Sequence, residues 1–99
     1  MAITPEELIE FKNRMRLEDN DDDENLTRIL SASLFALKSN CGDYDMTNES
    51  FKELVFERSR YVYNDALEYF NTNFLSQINS LGVSKALEEI QVGDPDATV

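Results

Sequence analysis

Apolar residues in this chain return every third or fourth position and seldom alternate, while glycine and proline number only three and two among 99 residues. Groups spaced in that way share one face of a 3.6-residue helix, whereas a half-buried strand requires a two-residue period. With so few residues to punctuate turns, the chain reads as all-α. Its length supports a single core. An apolar content of 41% places it among chains that can bury one, outside the low-hydrophobicity regime in which disorder is the default.

The start signals divide the pattern into helices. Thr4 can cap a first helix with Pro5 at its first position, Glu7 as capping-box partner, and Ile3 and Leu8 as a hydrophobic staple. Leu8, Phe11 and Met15 then form its buried stripe, and Arg14 and Arg16 suit its negative end, giving a span of 5–16. Six of the seven residues from Glu18 to Glu24 are acidic, with Asp21 and Glu24 at capping-box spacing for a second helix over 22–41. Its stripe is Leu26, Ile29, Leu30, Leu34, Leu37 and Cys41, and Gly42 is placed to be a left-handed cap. Thr47 can cap a third helix over 48–74, with Met46 stapling onto Phe51.

One side of that third helix carries Phe51, Leu54, Val55, Val62, Ala66 and Tyr69. A second row, Phe56, Tyr63, Leu67, Phe70 and Phe74, falls on another part of its circumference, and a small three-helix fold has little material to cover both. The weak helix formers Asn71, Thr72 and Asn73 are expected to end the helix. Val83, Leu87 and Ile90 suggest a short last helix before a free tail of seven residues. The expected architecture is a bundle of three main helices plus a short C-terminal helix, with 1–81 as the helical domain and 82–99 as a partly disordered docking segment.

Twenty acidic side chains against nine basic ones leave a net charge of −11, which argues against binding built on neutralising phosphates. With no His and one Cys, there is no His-based triad, no His or Cys zinc set and no internal disulfide, so a reducing compartment fits best. No apolar run approaches the length of a membrane span, and the start from Met1 to Glu6 lacks the features of a signal peptide, so a soluble chain that is not exported is expected. A calcium loop starting at Asp19 fails, because Glu24 takes the glycine position and Leu30 that of the bidentate glutamate. Glu6, Glu7 and Glu10 resemble half of a magnesium box of helical nucleotide pyrophosphohydrolases, but the only later match, Glu18 to Asp21, lies too close. Glu53 and Glu57 read as a solvated face, and Cys41 as a small core residue. No catalytic residue, cofactor or metal ligand is assigned, and no enzyme is expected.

What remains is a surface. Arg58, Arg60, Tyr61, Tyr63, Asn64 and Asp65 crowd two turns of the third helix with large side chains that have polar ends, the composition that protein interfaces favour. Arg58 and Asp65 can instead pair within the chain. Together with the second apolar row these residues define an expected subunit interface of Phe56, Arg58, Arg60, Tyr61, Tyr63, Asn64, Asp65, Leu67, Phe70 and Phe74.

The order of these features resembles the small head-tail connector, or adaptor, proteins of long-tailed bacteriophages. The likeness covers most of the chain. It rests on the acidic turn from Asp19 to Leu26 followed by a helix ending in Cys41-Gly42, on the long helix from Phe51 to Glu68, and on Leu81-Gly82-Val83 followed by Leu87. Related proteins often carry an Arg one step after the Tyr-x-Asn of that long helix, where this chain has Tyr63-Asn64-Asp65. The resemblance implies a ring of about a dozen copies below the portal, with different faces of each subunit against its two neighbours. Such a ring extends the DNA channel and docks the next neck or tail-completion protein. It implies a virion protein of the neck, assembled in the host cytoplasm, with no membrane partner and no specific binding of the DNA that passes through. Eleven negatives per copy would disfavour sticking of phosphates in the channel. The expected portal contact is the C-terminal segment, through Leu81, Val83, Leu87 and Ile90, ordered on docking. The alternative is an acidic DNA mimic that fills the basic groove of a DNA-binding protein with carboxylates, although ten of the twenty acids are concentrated at 18–24 and 88–96.

Overall fold

The computed structural model describes residues 3–93, with side chains described as far as Glu88. They form four helices: α1 (Pro5–Met15), α2 (Asp23–Cys41), α3 (Glu49–Tyr63) and α4 (Phe70–Gly93), with a single 3-10 turn at Leu67–Tyr69 before α4. The chain is all-α, and no strand occurs among the described residues. α2 packs along both α3 and α4, these two pack on each other, and α1 lies across α2. The result is elongated, 57 × 27 × 17 Å.

The starts of α1 and α3 are capped by side chains, though not always by the expected ones. At α1 the capping box closes as the sequence suggests: Thr4 Oγ1 accepts from the Glu7 N–H at 3.1 Å, and Glu7 Oε1 accepts from the Thr4 N–H at 2.9 Å. At α2 the capping box of Asp21 and Glu24 does not form; Asp22 is the cap residue and makes no side-chain cap bond. The acids serve a different group there. Lys12 of α1 is buried, and its Nζ donates to Asn20 Oδ1 at 2.7 Å and to Asp23 Oδ1 at 2.6 Å, pinning α1 onto the start of α2. At α3 the cap is Asn48 rather than Thr47, accepting from the Phe51 N–H at 2.9 Å, because Thr47 is turned back to donate to Asp45.

Gly42 ends α2 with φ +111° and ψ −172°. This is not the left-handed helical cap expected but the neighbouring region that only glycine adopts readily. A Cβ there would meet Lys85 Cγ of α4 at 2.7 Å, so the residue serves both the turn and the close approach of α4.

Most of the expected stripe residues face inward, whereas Tyr69, expected on the inner side of the third helix, is 61% exposed because the helix ends before it. Phe11 of α1, Leu26, Leu30, Leu34, Leu37 and Cys41 of α2, and Phe51, Leu54 and Val55 of α3 are buried in one cluster. Cys41 donates weakly to the Ile78 carbonyl at 3.8 Å, and burial pushes its thiol pKa up. A buried, unactivated thiol is a packing group.

The main departure lies in the third helix. The continuous helix expected over 48–74 is interrupted after Tyr63, and the chain reverses. Asp65 takes φ +57°. Its N–H donates to the Val62 carbonyl at 3.1 Å and the Ala66 N–H to the Tyr61 carbonyl at 2.8 Å, the two bonds of a Schellman turn. Asn64 Nδ2 adds a bond to the Arg60 carbonyl at 2.9 Å. A helix formed through this point would hide the stop, because Asp in place of Gly disguises the left-handed residue. Asn71, Thr72 and Asn73 do not end a helix; they precede a local bend at Phe74 (φ −118°, ψ 16°) inside α4. α4 then runs through Gly82 as far as Gly93. Residues 82–93 are helical, and the expected tail beyond Gly93 lies outside the described residues.

Asp65 therefore provides a test of the reversal. Replacing it with Gly relieves left-handed strain and should raise stability by up to about 1 kcal/mol, whereas Asp65→Val should lower it by about 1–2 kcal/mol. Urea unfolding of the two variants measures this, and a helix continuous through 65 would give the opposite sign for Gly.

Candidate interaction surfaces

The reversal decides which of the expected interface residues reach solvent. α3 and α4 run antiparallel, so the second apolar row is folded against its own helix pair. Phe56 is fully buried: its ring lies 5.7 Å from that of Phe11, and the Arg14 guanidinium sits 5.6 Å from its centroid. Phe70 is likewise inside, and Phe74 is partly buried against the core. Phe56 and Phe70 are thus core residues, a correction to their assignment as subunit contacts. Only on a straight rod would that row form an outer stripe, and α3 ends at Tyr63.

Tyr61 is the wedge at the closed end of the α3–α4 pair. Its ring meets Phe70 and Phe74 edge-on at 5.7 and 5.8 Å, and these two stack at 5.0 Å. Its hydroxyl accepts from Asn73 Nδ2 at 3.0 Å, so the polar end of the side chain is also used within the chain. Arg60 stacks over the Tyr61 ring at 5.1 Å and donates twice to Glu57, at 2.9 and 3.1 Å. The fork-to-carboxylate bond holds the Glu57 carboxyl below its ordinary pKa, with Arg14 adding a smaller pull from α1.

Arg58 does not pair with Asp65. Its Nη1 donates to the buried hydroxyl of Ser33 on α2 at 3.1 Å, and burial lowers its pKa from the ordinary value, although a guanidinium keeps its charge. Asn64 and Asp65 are exposed, but both form the turn. Of the ten expected contacts, the apolar surface that remains is Tyr63 at 37% and Leu67 at 39% exposure, joined by Tyr69 at 61%.

A second surface lies along α4. Leu75, Val83 and Leu87 are each more than half exposed, at spacings of eight and four that keep them on one flank. Leu81 is not on that flank. It packs against the core, and its carbonyl accepts from Tyr44 Oη at 2.8 Å, which removes it from the expected portal contact; the side chain of Ile90 lies outside the described residues. Lys85 lays its ammonium 4.4 Å from the Tyr44 ring centroid, and beyond it Ala86, Leu87 and Glu88 are all exposed, so the helix leaves the bundle there.

Ile9, Phe35 and Leu75 are exposed apolar side chains outside the sets that the sequence singles out. Helical phase, which sets Phe35 opposite the stripe of α2, is the signal that marks it. Phe35 is 76% exposed. Among the described residues, no group of three or more acidic or cysteine side chains gathers as a metal-ligand set, and no helix is long and apolar enough to cross a membrane. Comparison with protein-family models, with curated proteins and with solved structures finds no match to this chain.

Two outcomes follow from the placement of Phe56 and Glu57. Phe56→Ala should cost about 3–5 kcal/mol of stability in the isolated chain, as a core deletion does and an interface deletion does not, by denaturant unfolding. Glu57→Gln should differ from the parent at neutral pH, with the difference fading as pH falls below the ordinary glutamate value of about 4.3, since a depressed carboxyl contributes stability only while it is ionised. Paired melting curves from pH 7 to about pH 3 read that convergence directly.

Proposed function

We propose that this chain is a structural subunit of a phage head-tail connector, assembling into a ring below the portal through which DNA passes. Support comes from the apolar flank of α4. Three large side chains, Leu75, Val83 and Leu87, lie open along a helix that runs past the end of its own bundle. An isolated monomer gains nothing from exposing such a row, whereas a docking helix presents its apolar anchors along one flank, here at i, i+8 and i+12. The order of acidic turn, long aromatic helix and C-terminal Leu-Gly-Val segment supports the same reading by resemblance.

The self-association part of the reading draws on less surface than the sequence suggested. Because Phe56 and Phe70 are sealed inside, contacts between copies are drawn from the corner of Tyr63, Leu67 and Tyr69 and from faces outside the original set. The charge is consistent with a lining that DNA slides past. A net −11 repels phosphates, and the acids of the turn before α2 that do not hold Lys12 face solvent.

Docking through α4 is testable without disturbing the core. Val83→Asp combined with Leu87→Asp places charge on two exposed positions and should leave the melting curve unchanged while abolishing co-sedimentation with purified portal. Wild-type protein mixed with portal should give a native mass of portal plus several copies; a single peak at monomer mass would reject the connector reading.

A further inference from the structure

Gly82 lies in the middle of α4, although the packing around it does not call for a glycine. Its backbone is helical, and the nearest atom that an added Cβ would meet outside the helix is the Asn40 carbonyl oxygen at 3.7 Å, an ordinary contact. Alanine would fit. Glycine is second only to proline in disfavouring a helix interior, and what it gives in return is a backbone free to turn. The two halves of α4 are also held very differently. Before Gly82, Phe70 and Ile78 are buried, and Phe74 and Leu81 pack on the core. After it, Val83, Ser84, Ala86, Leu87 and Glu88 are exposed. Among the described residues of this second half, Lys85 alone lies against the bundle, its ammonium on the Tyr44 ring and its stem beside Gly42.

A bend at Gly82 breaks the helical bonds that span it, taking the N–H groups of Val83, Ser84 and Lys85 away from the carbonyls of Asn79, Ser80 and Leu81. A buried carbonyl left without a donor is the usual obstacle to such a bend. Here each of the three has a second donor within reach. Asn79 and Ser80 are exposed residues, open to water. Leu81 faces the bundle, and its carbonyl already accepts from Tyr44 Oη at 2.8 Å in the straight helix. About one turn earlier, Cys41 Sγ makes its weak bond to the Ile78 carbonyl, a further tie on the anchored half just before the glycine. Both donors come from the corner between α2 and α3, so the bundle grips α4 up to Leu81 by its backbone as well as by its apolar side chains.

We infer that α4 is a hinged arm that pivots at Gly82, with Tyr44 holding the Leu81 carbonyl through the bend and Lys85 as the catch that keeps the arm straight against the bundle. The catch is a single cation over a ring at the surface, a contact weak enough to open and close in the folded chain. The motion belongs to the free protein and needs no partner. Its purpose rests on the connector reading: Leu75 stands on the anchored half and Val83 and Leu87 on the arm, so the pivot lets the apolar flank be fitted to its partner on docking.

Paired spin labels on the full chain test it, since the native Cys41 is buried and escapes brief labelling. Labels at Glu24→Cys and Leu87→Cys should give a broader distance distribution than labels at Glu24→Cys and Leu75→Cys, which report on the anchored half alone. Gly82→Ala should narrow the first distribution to match the second. Backbone hydrogen exchange reads the same opening: Gly82→Ala should slow the amides of Val83, Ser84 and Lys85 by about fivefold, the equivalent of the difference in helix propensity between Gly and Ala. Tyr44→Phe keeps the ring beneath Lys85 and should slow the same amides, because the bent form leans on the hydroxyl more than the straight form does. A Glu24–Leu87 distribution as narrow as its control would overturn the hinge, and so would one that Gly82→Ala leaves unchanged, by assigning the breadth to fraying from the helix end. Faster exchange in Tyr44→Phe would overturn it as well, by making the hydroxyl a lock on the straight form. Portal binding is read separately, and its failure would move none of these results.

Discussion

Asp65 leaves the helical region at the end of α3, and the shape of the molecule follows from that one backbone angle. Without the reversal, α3 and α4 would be a single rod with aromatic residues on two sides. With it, Tyr61 closes onto Phe70 and Phe74, the two helices become antiparallel, and Phe56 is left facing α1 as a core residue. The strain of a left-handed Asp, of order 1 kcal/mol, is small beside the burial of three aromatic rings at about 1.5–3 kcal/mol each. The turn can therefore tolerate an imperfect residue.

Local signals with a fixed geometry were legible in the sequence. Thr4, Pro5 and Glu7 lie within one turn of each other, so their capping box needs nothing from the rest of the fold. The stripes of α1 and α2 likewise required only helical phase. The end of α3 was not legible, because its stop signal, a left-handed residue, was carried by Asp rather than Gly. The effect propagates, because on a straight rod Phe56 and Phe70 fall on an apparent outer face. Partner choice among polar groups was equally hidden. Arg58 could reach Asp65 by helical spacing, yet tertiary packing brought Ser33 closer, and only coordinates report that.

The surfaces divide by what each side chain already has. Arg60, Tyr61, Asn64 and Asn73 satisfy one another around the turn and have little left to offer a partner. Phe35, Tyr69, Leu75, Val83 and Leu87 are each more than half exposed. A composition rich in Arg and Tyr marks the first group in the sequence, but burial leaves the second with the uncovered apolar surface. Large side chains with polar ends are favoured at interfaces and at tight internal corners for the same reason, since both must bury rings beside backbone that still needs hydrogen bonds.

Lys12 carries a consequence for how the protein responds to its ionic surroundings. Most of the acids are exposed and repel one another, and that repulsion extends over roughly 10 Å at 0.1 M salt and shortens as salt is added. The contact of Lys12 with Asp23 is sheltered, the lysine being buried, and is screened far less. Added electrolyte thus weakens what pushes the chain apart while sparing the attraction that holds its first helix in place, and this acidic protein is built to be firmer in brine than in dilute buffer.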